Sequence, residues 1–303
     1  MRFTVEQWSP EYGAPASSQL AEPAQEPQLD VEFGVESWRP LQPSGAAASR
    51  VLFVDGVRRV DANVWIDDGG RMPVLGLCAV YAAGAVACAG QATLEAAEVR
   101  RGLFTASAHA ADVKTMHGTY SVSATAGATP EELWLGIQRR MGELETKISQ
   151  LHSDGGLVIV DGPLSHRGPA TGAVGFIKTQ HVEYLPDELV GVMISLAVGE
   201  RTPLFLLAGG GFSWYMRLPF GDGSVRSGLV RCEVDSNRSP AGAAELADTV
   251  TVTLPRFASQ PHKEPRAPQN LYPIAGLERE LRRRLGDAQL MYRALRVAAA
   301  GAA

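Results

Sequence analysis

Residues 129–162 read TPEELWLGIQRRMGELETKISQLHSDGGLVIVDG, and the reading of the fold turns on them. Thr129 is a strong N-cap residue, Pro130 suits the first helical position, and Glu132 follows three residues after Thr129, as in a capping box. Leu133, Ile137, Met141, Leu144, Ile148 and Leu151 then recur at spacings of three and four, the period of one helix face. The spacing predicts an amphipathic helix of about five to six turns. Ser153-Asp154-Gly155-Gly156 ends it. Leu157-Val158-Ile159-Val160 is an unbroken apolar run closed by Asp161 and Gly162, the pattern of a buried strand.

Upstream, Val51-Leu52-Phe53-Val54-Asp55-Gly56 carries the same signature and predicts another buried strand. Arg58 to Ile66 alternates loosely, and Asp67-Asp68-Gly69-Gly70 reads as a turn. Val74–Cys88 and Thr93–Thr105 are further strand candidates. Downstream, Leu189–Val198 fits a helix or a strand, and Leu204–Ala208, Ser213–Leu218, Leu229–Val234 and Thr249–Leu254 read as strands. Pro255–Asn270 is loop-like, and Ile274–Arg296 reads as one final helix. The fold class is therefore α/β (α+β): a mixed central sheet flanked by helices over residues 49–303. Residues 1–48 differ. They hold the polar, Pro- and Ala-rich stretch Ala14–Pro27 and two similar segments, Val5-Glu6-Gln7-Trp8-Ser9-Pro10 and Val35-Glu36-Ser37-Trp38-Arg39-Pro40. This region is expected to be an irregular arm or linker.

The chain has 303 residues, 45% hydrophobic and 20% charged, with a formal net charge of −5. That composition argues against a disordered, collagen-like or coiled-coil chain. It also argues against general affinity for nucleic acid, so any such binding must come from a local basic patch. The three cysteines lack CxxC spacing, no apolar run has the length and strength of a membrane span, and the expected setting is cytoplasmic.

The chemistry-bearing candidates are the two strand-end acids, Asp55 and Asp161. Ligands gather at the carboxyl ends of strands, and convergent carboxylates suit hard cations. As an alternative, each Asp caps its own Gly turn. Glu143 and Glu145 lie on the helix that leads into the Asp161 strand. Glu145 sits about 80° from the centre of the apolar stripe and Glu143 about 120° on the other side. Lys178, after the run Gly175-Phe176-Ile177, is a candidate phosphate ligand. Arg58, Arg59 and the arginines of the last helix are candidate contacts to a nucleic-acid backbone. No GxxxxGK[ST] loop, GxGxxG fingerprint, GxSxG elbow or zinc-ligand spacing is present.

In this order the motifs resemble those of the NurA nucleases, which have an RNase H-like fold. The match runs from about Arg50 to Arg296. It comprises Phe53-Val54-Asp55-Gly56, the helix segment Arg139-Arg140-Met141-Gly142-Glu143-Leu144-Glu145, and Asp161-Gly162-Pro163-Leu164. Gly175 to Lys178, Trp214-Tyr215-Met216-Arg217-Leu218 and Asn270-Leu271-Tyr272-Pro273 follow. The resemblance implies a metal-dependent DNA nuclease, with Asp55, Glu145 (or Glu143) and Asp161 binding Mn²⁺ or Mg²⁺. It matches Tyr272 to the family's tyrosine before Pro; Lys178 and Tyr272 are expected to be catalytic, and Arg58, Arg59, Lys178, Arg217, Arg279 and Arg283 to contact DNA. It further implies a homodimer that works with a HerA-type hexameric ATPase in DNA end resection and repair. The family often carries a histidine about two turns into the last helix. Here that region reads Leu277-Glu278-Arg279-Glu280-Leu281, which leaves room for a second reading, a non-catalytic adaptor for the ATPase.

Overall fold

The computed structural model describes residue 23 and residues 25–302, apart from 68, 70, 71, 154, 165–171, 180, 181 and 222. The segment Val5–Pro10 and most of Ala14–Pro27 therefore lie outside the described residues. Fifteen elements follow in chain order: β1 (Val51–Ile66), β2 (Val74–Ala89), β3 (Gln91–Thr105), β4 (Val113–Thr115), β5 (Gly118–Ala124), α1 (Pro130–His152), β6 (Leu157–Asp161), β7 (Ala173–Ile177), α2 (Asp187–Ile194), β8 (Phe205–Leu207), β9 (Gly211–Arg217), β10 (Leu229–Val234), α3 (Pro240–Thr253), α4 (Tyr272–Arg284) and α5 (Ala288–Ala302). The strands are hydrogen-bonded in the order β4-β5-β3-β2-β1-β6-β7-β10-β9-β8. Parallel pairs (β6 with β7, β3 with β5) and antiparallel ones (β7 with β10, β10 with β9, β9 with β8) make the sheet mixed, as the sequence predicts.

The described residues divide into two compact units. One takes its residues from 1–53, 87–93 and 153–275, the other from 54–86, 94–152 and 276–303.

In the first unit, α2 covers a cluster of Trp38, Leu185, Leu189, Met193, Phe205 and Tyr215. Within the described residues before β1, the stretch 28–41 belongs to this packing. Gln28 bridges Leu206 and Leu41 bridges Arg201. Trp38 is only 8% exposed and donates its indole N–H to the Leu29 carbonyl at 3.0 Å. Glu32 grips the guanidinium of Arg201 through two bonds of 2.8 and 2.9 Å, and Asp248 takes the Arg201 Nε at 2.6 Å. The boundary expected at residue 48 therefore falls inside a packed region, because Trp38 and Glu32 bring groups that the core needs.

In the second unit, the capping box forms as read: Glu132 N–H donates to Thr129 Oγ1, and Thr129 N–H donates to Glu132 Oε2 at 3.1 Å. β2 is lined with Ala and Gly, which lets a helix lie close. A Cβ on Gly84 would stand 2.7 Å from the Ala96 carbonyl oxygen and 3.0 Å from Leu277 Cδ1. Asp61 accepts from Tyr120 Oη at 2.7 Å and pairs with Arg59 at 2.8 Å. Arg59 also donates to the Gly286 carbonyl at 2.7 Å, which ties β1 to the turn between α4 and α5.

Three element readings change. Thr249–Leu254 is not a strand, for α3 runs through Thr253. Ser239 caps it by accepting from Gly242 N–H, Pro240 starts it, and Thr249 and Thr251 donate their hydroxyls back to the carbonyls four residues earlier. The final helix is two helices, broken where Gly286 takes a φ of +81° and Asp287 caps the second by accepting from Leu290 N–H at 2.9 Å. The two strands expected over residues 51–66 are one.

Candidate functional site

β6 and β7 pair in parallel with Asp161 opposite Phe176. Side chains alternate along a strand, so Lys178, two residues past Phe176, falls on the face of Asp161. There Lys178 Nζ lies 2.7 Å from Asp161 Oδ2, with the lysine side chain 13% and the aspartate side chain 20% exposed. Lys178 Nζ also donates to Asn270 Oδ1 at 3.0 Å. Asn270 precedes α4 and is wholly buried. Three of the stretches singled out in the sequence thus converge at one point within the first unit. The Tyr272 hydroxyl accepts the Gln260 N–H at 3.1 Å, bracing the loop before α4.

The other two acids belong to the second unit. Asp55 is 7% exposed and accepts the N–H of Gly56 at 2.7 Å. Glu145 is 1% exposed, whereas Glu143 faces solvent and pairs with Arg140 at 2.9 Å. The smaller angle from the apolar stripe accounts for that difference. Glu145 lies over Gly56, where a Cβ would stand 2.3 Å from its Oε1 and 2.9 Å from Met141 Cγ. Neighbouring strand residues point to opposite faces, so Asp55 points away from the face that Glu145 covers. The rest of β1 keeps this register. Arg58, two residues past Gly56, stacks on Trp134 of α1 at 5.4 Å, and the Glu145 charge acts on it. Arg59 and Asp61, on the Asp55 face, meet Gly286 and Tyr120. Burial lowers the pKa of Arg58, and Glu145 opposes that shift.

Among the described residues, no group of three or more His, Cys, Asp or Glu side chains is placed to hold a metal ion. Asp55 and Asp161 each keep the hard oxygen chemistry that Mg²⁺ or Mn²⁺ prefers.

The expected DNA-contacting arginines are divided. The guanidinium of Arg217 donates to four carbonyls, those of Leu196, Ser227, Ile194 and Val225, and so clamps two loops. Arg59 is spent on Asp61 and Gly286. Arg283 and Arg284 both bind Glu280 on the same helix, and Arg282 binds Glu278. Arg279 is exposed on α4. Asn270 is the residue whose part the sequence reading missed. It stood in a quoted motif, but only the approach of the loop before α4 to β7 gives it a partner.

Among the described residues, no helix is long and apolar enough to cross a membrane. No family model matches the chain, and no curated protein matches it.

Proposed function

We propose that the chain is a DNA nuclease of the NurA kind, cleaving phosphodiesters with a divalent cation, Mn²⁺ or Mg²⁺. The observation that carries this reading is the meeting of Asp161, Lys178 and Asn270, drawn from three separate motifs of the resemblance. Lys178 brings a cation to a strand end, where it would offset the charge of a backbone phosphate. Asp161 holds that cation in place and is the acid at hand to orient a water. The divalent cation would supply activation of the attacking water and charge stabilisation. Arg58 and Arg279, the latter exposed on α4, are proposed among the DNA contacts, and a homodimer acting with a HerA-type ATPase in end resection and repair belongs to the same proposal.

A cleavage assay on labelled linear single- and double-stranded DNA, with Mn²⁺, Mg²⁺ or EDTA, tests it. Cleavage in either metal is expected to stop in EDTA and to fall by at least about a hundredfold in Asp161→Ala and in Asp55→Ala. A folded wild type that cuts under none of these conditions, with or without the ATPase, rules the nuclease out.

The second reading, a non-catalytic adaptor for the ATPase, is favoured by Leu277-Glu278-Arg279-Glu280-Leu281 of α4, which holds no histidine. It predicts ATPase binding that survives both substitutions. Docking through Trp38 is not open to it, because that indole is built into the core.

A further inference from the structure

Asn270 is 0% exposed, and its amide orientation is set by Oδ1 accepting from Lys178 Nζ at 3.0 Å. The other end of the amide, Nδ2, then has no hydrogen-bond partner among the described residues. A buried donor left in this way costs about 1–3 kcal/mol. An apolar residue at position 270 would avoid that cost, and Asp161 by itself already balances the charge of Lys178. A buried amide with one end unpaired therefore points to a task outside stability.

We infer that Asn270 is a positioning residue, whose carbonyl oxygen fixes the Lys178 ammonium where the phosphate of the DNA is neutralised. The inference rests on the nuclease reading. An amide suits this task better than a second carboxylate. With Asp161 negative, Lys178 positive and Asn270 neutral, the trio carries no net charge. A carboxylate at 270 would make it net negative and repel the phosphate. Asn270 also gives the ammonium an anchor from a segment other than β6, so its position does not depend on Asp161 alone.

The test is a double-mutant cycle in the metal-dependent cleavage assay, with kcat and KM measured for wild type, Lys178→Ala, Asn270→Ala and the pair. Asn270→Ala is expected to lower kcat about tenfold with KM within about twofold. In the Lys178→Ala background the same change is expected to cost less than about twofold, since a residue that acts through Lys178 has nothing left to position. Asn270→Asp, nearly the same shape, covers the case in which the alanine variant fails to fold. Its expected effect is a rise in KM for DNA of about three- to tenfold, larger at low salt. Losses that multiply in the double variant, or an Asn270→Asp that lowers kcat with KM unchanged, overturn the inference and leave the nuclease in place. A wild type without metal-dependent cleavage overturns both.

Discussion

Glycine at position 56 decides where the helix acid sits. Its missing side chain leaves the pocket that Glu145 fills, with Met141 beside it. Gly56→Ala places a methyl 2.3 Å from Glu145 Oε1, and the buried carboxylate must move. A loss of about 1–3 kcal/mol is expected, the range of an overpacked core. Urea unfolding of Gly56→Ala alone and combined with Glu145→Ala checks it: the combined variant should lose much less than the sum of the two single changes. An additive result would mean that Glu145 is not what occupies the space. The burial of Glu145 was legible from its angle to the apolar stripe. Its seat over Gly56 was not, because that depends on which strand faces the helix, and periodicity within one element carries no such register. Arg201 makes the matching case in the first unit. Its guanidinium is 3% exposed and held by Glu32 and Asp248, so Arg201→Ala leaves two acids facing one another. About 3–5 kcal/mol of destabilisation is expected on chemical denaturation.

At the scale of elements, what was legible is what local signals control. The capping box and the three-four spacing located α1, because both act within one turn of the chain. The run Thr249-Val250-Thr251-Val252 misled, since β-branched residues favour strands only where no stronger start signal precedes them. Here Ser239 and Pro240 begin a helix in an alanine-rich run, and the threonine hydroxyls find carbonyls within it. The arginine-rich face of α4 likewise reads differently in place. Glu280 accepts from Arg283 and Arg284, and those hydrogen bonds hold its carboxyl at about 2, well below the usual carboxylate range. A depressed folded value means that the contribution is present above the ordinary pKa near 4.5 and is lost as pH falls towards about 2. A ¹³C titration of the Glu280 carboxyl is expected to show that low midpoint, and Arg283→Ala with Arg284→Ala should return it towards 4.5. The site is exposed to solvent, so the change should be local to α4 and weaken in salt.

At the scale of the molecule, neither unit is a continuous stretch of chain, so composition read along the chain does not find their limits. Polar and Pro-rich residues before β1 suggested an arm, and composition cannot register the long-range anchors that follow them over residues 28–41. Trp38 is the largest of them. It fills a place among Leu185, Leu189, Met193, Phe205 and Tyr215 and pairs its N–H with Leu29. Trp38→Ala is expected to cost about 3–5 kcal/mol, the range for removing a large buried aromatic side chain. The control is Trp65→Ala, because Trp65 is 67% exposed and its loss should stay within about 0.5 kcal/mol. Urea unfolding followed by far-ultraviolet circular dichroism compares the two without relying on the tryptophan signal itself. If Trp38→Ala were as stable as Trp65→Ala, residues 28–48 would be a detachable arm, and Trp38 would again be open to a partner. If it unfolds earlier as expected, the segment is part of the unit that carries Asp161, Lys178 and Asn270. Its removal should then abolish cleavage through loss of folding, although none of its residues belongs to that trio.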